Sequence, residues 1–239
     1  MNIYFRKLLL FVLILIPSIS FPQNKISTNV VSKQFLNKKL LTIERDIYYQ
    51  TNGKLVTHYI RPEEYFLVTN SFGEARVYNP KTNEVMLLNE KSMSSRNELI
   101  YSFLTNEYHD FGLLDLGFKL QNQKKEGKRI IKTFVSQVSK TDKISKIEMV
   151  YENTLPIYSA YFDKKGLLVR KVYYDKYQKF NIFTFPTQIT EISYISANDS
   201  IVKRDVYSNV QVNKHSFNNL FDYQIPSSAK LVNPINMPK

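Results

Sequence analysis

The chain has 239 residues, 33 Lys and Arg against 21 Asp and Glu, a formal net charge of +12, and no cysteine. The missing cysteine excludes disulfides, thiolate nucleophiles, cysteine metal ligands and acylation at a lipoprotein-type cysteine. The length suits one large domain or two modest ones, and 17 Tyr and 16 Phe suit strands and apolar pockets.

Residues 1–20, MNIYFRKLLLFVLILIPSIS, read as a secretory signal peptide. Arg6 and Lys7 form the positive start. An apolar run covers 8–16, Pro17 breaks it, and Ser18 and Ser20 supply small residues ahead of a cleavage point. A bilayer-spanning helix takes about 20 apolar residues, which this run does not reach. Cleavage near Ser20 leaves 21–239, read as a single domain because no repeat, low-complexity linker or glycine-rich stretch divides it. Loss of Arg6 and Lys7 still leaves a clear basic surplus. The basic residues are scattered, with only short clusters such as Lys124-Lys125 and Lys164-Lys165. That pattern reads as solubility, with an anionic lipid surface as the other reading, and nucleic acid is not expected as a partner of an exported chain.

In 30–41, Val31, Phe35, Leu36 and Leu40 fall at spacings that suit a short amphipathic helix. The period then changes to that of strands. Residues 65–69, 75–79 and 84–88 read as three strands of a meander, with turns at Asn70-Ser71-Phe72-Gly73 and Asn79-Pro80-Lys81-Thr82-Asn83. Residues 92–108 return to helical spacing through Leu99, Ile100, Phe103 and Leu104, and Ser95 with Glu98 fits a capping box. Residues 111–118 read as a second helix or an irregular lid. Strands resume at 130–138 and 144–151, where Ile147, Met149 and Tyr151 share a face. Two hairpins follow, 157–162 with 167–174 and 187–195 with 201–212. The total is about nine to eleven antiparallel strands, with one helical excursion. A sheet this large curls and must cover its apolar face. The fold class is therefore mainly β (α+β), a curved antiparallel sheet with a helical lid.

Motifs for chemistry are sparse. His58, His109 and His215 are far apart in sequence, and His109-Asp110 is the nearest approach to a ligand pair. No serine stands in a G-x-S-x-G turn and no glycine-rich phosphate loop occurs. No catalytic residue, metal or cofactor is assigned, and the chain is not read as an enzyme. A concave apolar face makes a pocket for non-directional burial of acyl chains, at about 0.8 kcal/mol per CH₂. Its candidate lining is Phe66, Val68, Val77, Val85, Leu87, Ile147, Met149 and Tyr151, and its candidate lid is Leu99, Ile100, Phe103 and Leu104. The same residues equally suit a filled core.

The stretch Leu67-Val68-Thr69-Asn70-Ser71-Phe72-Gly73-Glu74-Ala75-Arg76-Val77-Tyr78-Asn79-Pro80, followed by Asn83-Glu84-Val85, resembles the periplasmic outer-membrane lipoprotein carriers, the LolA-like proteins. The excursion at 97–104 falls where that family has its lid. Phe185-Pro186-Thr187-Gln188-Ile189 resembles the broader lipoprotein-sorting relatives, and the resemblance spans roughly 30–232. It implies a half-open β-barrel whose helices close a cavity for lipoprotein acyl chains or other lipid. It further implies a periplasmic, monomeric carrier working between an inner-membrane donor and an outer-membrane acceptor. In the family an Arg of an Arg-Pro pair latches the lid, and Arg61-Pro62 offers Arg61 for that role. Two other roles stay open, an envelope sensing or structural domain of the same fold and an envelope hydrolase.

Overall fold

The computed structural model describes residues 24–36, 39–137, 143–181, 183–196, 199–213 and 218–233. The signal-peptide expectation at 1–20 and His215 lie outside them. The strands are Lys25–Leu36 (β1), Lys39–Gln50 (β2), Leu55–Arg61 (β3), Tyr65–Thr69 (β4), Glu74–Asn79 (β5), Glu84–Asn89 (β6) and Phe118–Glu126 (β7). They continue as Arg129–Ser136 (β8), Lys146–Glu152 (β9), Leu155–Phe162 (β10), Leu168–Phe180 (β11), Phe183–Ser196 (β12), Asp199–Val212 (β13) and Lys230–Val232 (β14). The α-helix Leu99–Leu104 (α1) lies between β6 and β7.

All fourteen strands join one sheet in the order β14-β6-β5-β4-β3-β2-β1-β13-β12-β11-β10-β9-β8-β7. Neighbours pair antiparallel except β14, which runs parallel to β6. The edge strands β14 and β7 do not pair with each other, so the sheet is a half-open barrel. Its midline is β1–β13, the pairing that joins the first half of the chain to the last. Breaks in register bend the strands. One lies between Ser27 and Asn29, opposite Asn209 with φ of 50°, and Lys176 in β11 has φ of 53°.

Three elements differ from the sequence reading. Residues 30–36 and 39–41 lie in the paired strands β1 and β2, not in a helix. The inward residues of β1 alternate Ile26, Thr28, Val30 and Ser32, and the two hydroxyl residues disguise the period of two. The capping box does not form. Ser95 Oγ instead donates to the Gly53 carbonyl at 2.7 Å, and the Glu98 side chain makes no cap bond to α1. Of the two readings of 111–118 the irregular one holds, since 111–117 are turns, but β7 forms from the polar segment after them, where no strand was expected. The expected turn at 79–83 is present, with Asn79 Oδ1 accepting from the Lys81 amide and Asn83 at φ of 53°. Both later hairpins are present with longer strands.

Cores form on both faces. On the inner face Phe103 and Ile100 of α1 pack with Ile26, Val30, Ile47, Tyr49, Leu55, Phe185 and Tyr207. A continuation of that face packs Leu113 on Phe134, Ile147, Met149 and Tyr151. On the outer face the segment after β13 crosses back over β2–β5. Its Phe221 is buried and meets Tyr48 edge-on at 5.4 Å, and Tyr223 stacks on Phe66 at 4.2 Å. Asn218 starts this cover by accepting the Leu220 amide at 2.8 Å, and Gln50 donates to the Phe221 carbonyl.

Candidate ligand-binding hollow

Register aligns one inward row across the first wing of the sheet. Thr57, Leu67, Val77 and Met86 stand opposite one another on β3 to β6, and Val232 of β14 stands beside Met86. A hollow of about 740 Å³ opens over this row. Tyr59, Tyr65, Leu67, Val77, Met86, Met93 and Val232 line it, and Glu63, Glu64 and Glu84 add charge. Its size lies within the roughly 300–1,000 Å³ of small-ligand sites. Tyr59 and Tyr65 stack at 4.1 Å, and burial holds the Tyr65 phenol above its usual range.

The helix α1 is wedged into the midline. Phe103 is fully buried, 5.4 Å from Phe185 and 4.9 Å from Tyr108 by ring centres. The chain ahead of α1 hangs from two hairpin turns. Besides the Ser95–Gly53 bond, Ser94 Oγ donates to the Ser71 carbonyl at 2.9 Å. Gly53 has φ of +90°, and a Cβ there would lie 2.8 Å from Ser71 Cβ, so only glycine fits. A second hollow of about 730 Å³ runs along α1, lined by Phe72, Arg96, Leu99, Tyr101, Phe111 and Leu116 among others. A third, of about 420 Å³, lies over β9–β11 and the 111–117 turns.

The residues expected to line one pocket are divided among three places. Val77 lines the first hollow. Ile147 and Met149 line the third, and Tyr151 is buried beside them with its hydroxyl donating to the His109 carbonyl at 2.6 Å. Phe66, Val68 and Val85 lie on the outer face, in the core beneath the 218–229 cover, which corrects the expectation that they share the pocket of Val77. Leu87 shares that outward parity and is 51% exposed. The reason is alternation. Phe66 and Val68 occupy one parity of β4, whereas Tyr65 and Leu67 occupy the other, and both are apolar. Of the lid residues, Leu99 borders the second hollow, Ile100 and Phe103 are buried, and Leu104 packs against the same core.

Arg61 sits at the end of β3 with its side chain 70% exposed, and its guanidinium pairs with Glu44 at 3.5 Å. The inward-facing cation of this region is Arg45, which the sequence reading passed over. Its guanidinium donates to Ser32 Oγ at 2.8 Å and lies 3.8 Å from Asp205, which also pairs with Lys203 at 3.1 Å. Glu98, at the start of α1, lies within electrostatic reach of Arg45, Lys203 and Asp205. The sequence signal was a lone Arg at an inward position of β2, between Ile43 and Ile47. His58 stacks on Phe66 on the outer face and contacts Glu64 at 2.9 Å. The His109 side chain is exposed, and its backbone carbonyl serves Tyr151 and Lys132. Among the described residues no three His, Asp or Glu side chains gather as metal ligands.

No protein-family model matches the sequence, and no curated protein matches it. Solved structures do match. A DUF1329 family protein from Desulfovibrio piger aligns with a TM-score of 0.56 at 17% identity, over 82% of this chain and 89% of that one. A putative outer membrane lipoprotein-sorting protein domain from Vibrio parahaemolyticus aligns with a TM-score of 0.56 at 13% identity, over 83% and 89%. A LolA superfamily protein from Nitrosomonas europaea aligns with a TM-score of 0.54 at 12% identity, over 80% and 87%. No helix among the described residues is long and apolar enough to cross a membrane. At these identities the likeness is one of fold, and the half-open barrel with an inserted helix is the LolA-like fold.

Proposed function

We propose that this protein is a periplasmic carrier, exported through a cleaved signal peptide, that buries lipoprotein acyl chains or another apolar ligand in the inner-face hollow and moves them towards the outer membrane. The single observation that supports this is the 740 Å³ hollow whose floor is Leu67, Val77 and Met86 and whose side is Met93. Methionine and branched aliphatic walls suit chains of varied length, because methionine adapts its shape and burial is non-directional. The ligand enters beside Met93, in the chain ahead of α1. The segment carrying α1 hangs by its two serine bonds and shifts as the chain is buried, then returns when the chain leaves. The work is done by binding, without catalysis, and a monomer passes its load between an inner-membrane donor and an outer-membrane acceptor.

One observation favours a second reading, a sensing or structural domain of the same fold. Phe103 fills the midline, so α1 is part of the core, and it borders the second hollow rather than the first. Lipid extraction and mass spectrometry of protein purified from its own periplasm separates the readings, together with titration by an N-acylated lipopeptide. The carrier reading expects co-purified acyl cargo and saturable lipopeptide binding. Absence of both would overturn it in favour of the second.

A further inference from the structure

The third hollow shares no lining residue with the first, and its chemistry differs. Its walls are apolar, made by Leu113, Leu116, Phe118, Ile144, Ile147 and Met149. Two cations, Arg170 and Lys143, stand among them, and no carboxylate among the described residues lines it. The Arg170 guanidinium lies over the Tyr161 ring, 3.8 Å from its centre. Its Nε is buried and has no hydrogen-bond partner among the described residues. The acid on the facing strand is Glu191, on the same face of β12, and its carboxylate accepts from Ser193 rather than pairing with Arg170. A cation held against apolar surface without a counter-charge is costly, and a ligand anion relieves that cost. Stacking on Tyr161 fixes the plane of the guanidinium and leaves its terminal nitrogens for a planar carboxylate, the group that an Arg fork matches.

We infer that this hollow is a second ligand site, for the carboxylate of a single-chain fatty acid, with the chain against Ile147 and Met149 and the head at Arg170. Volume decides between anionic lipids. About 420 Å³ suits one chain rather than a diacyl phospholipid. The inference is independent of acyl-cargo transport in the first hollow.

The test is calorimetric titration of the mature protein with palmitate, with hexadecanol, and with short-chain phosphatidylglycerol below its micelle concentration. Palmitate is expected to bind at least tenfold tighter than hexadecanol. The Arg170→Gln variant should abolish that difference, Arg170→Lys should restore part of it, and Arg129→Gln, at an exposed cation outside the three hollows, should leave it unchanged. Equal binding of palmitate and hexadecanol by the unmodified protein overturns the inference, and that comparison needs no variant to fold. Tighter binding of phosphatidylglycerol than of palmitate also overturns it. A protein that ignores lipopeptides yet shows the Arg170-dependent preference for palmitate keeps this site and loses the carrier reading.

Discussion

The two wings of the sheet are covered in different ways. The first, β2 to β6, is apolar on both faces. Its inner face floors the 740 Å³ hollow, and its outer face carries the 218–229 segment. The second, β7 to β11, is apolar mainly inward. On β9, Ile147, Met149 and Tyr151 are buried while Glu148 and Glu152 stand on the other parity. A strand buried on one face shows its orientation in its own alternation, whereas a strand buried on both does not. The first wing therefore depends on distant chain for its outer cover, and that cover leaves the inner face free to be hollow.

The helix between the wings gives the largest expected effect. Phe103→Ala should cost about 3–5 kcal/mol in urea-denaturation stability, the range for deleting a fully buried Phe. A loss below about 1 kcal/mol would mean that α1 rests on the hollow rather than in the core. Breaking the inward pair comes next. Arg45→Leu should cost about 2 kcal/mol, because it takes from the buried Asp205 carboxylate one of its two cations and leaves Lys203 alone beside it, and adding Asp205→Leu should recover part of it. A double variant no better than the single would remove the coupling. The faces are then separated directly. Val68→Asp, under the outer cover, should lower stability by about 2 kcal/mol and leave lipopeptide affinity unchanged. Val77→Asp should cost less stability and weaken lipopeptide binding at least tenfold. The reverse pattern would exchange the roles of the two faces. The smallest effect is alkaline. Burial pushes the Tyr223 phenol, in the outer cover, up to about 12 from 10.0. The folded state thus favours the neutral phenol, so this contribution is intact below pH 10 and is lost as pH rises from 10 to 12. Tyr223→Phe should flatten that part of the stability profile.

The same contrast accounts for what the sequence made legible. The meander, the two later hairpins, the helical excursion and the inward face of β9 followed from turn chemistry and period. The facing of β4 and β6 did not, because Phe66 and Val68 advertise a buried face as strongly as Tyr65 and Leu67. Their cover, Phe221 and Tyr223, lies some 150 residues away in the chain. The β1 strand was hidden for another reason. Thr28 and Ser32 are buried polar residues satisfied by hydrogen bonds, and a period read from apolar residues alone skips them. Arg45 escaped because a charge on a strand reads as outward, and only the facing Asp205, 160 residues later, shows that it points in. The edge strand β7 is exposed along nearly its whole length, so it carried no apolar pattern to find.

The central claim is that the inner face of the first wing receives an acyl chain. Photo-cross-linking with a lipopeptide that carries a diazirine in its acyl chain, followed by peptide mapping, tests it directly. Cross-links at Leu67, Val77, Met86 and Met93 are the predicted result. Cross-links confined to the outer-face residues Phe66, Val68 and Val85, or no saturable cross-link at all, would contradict it.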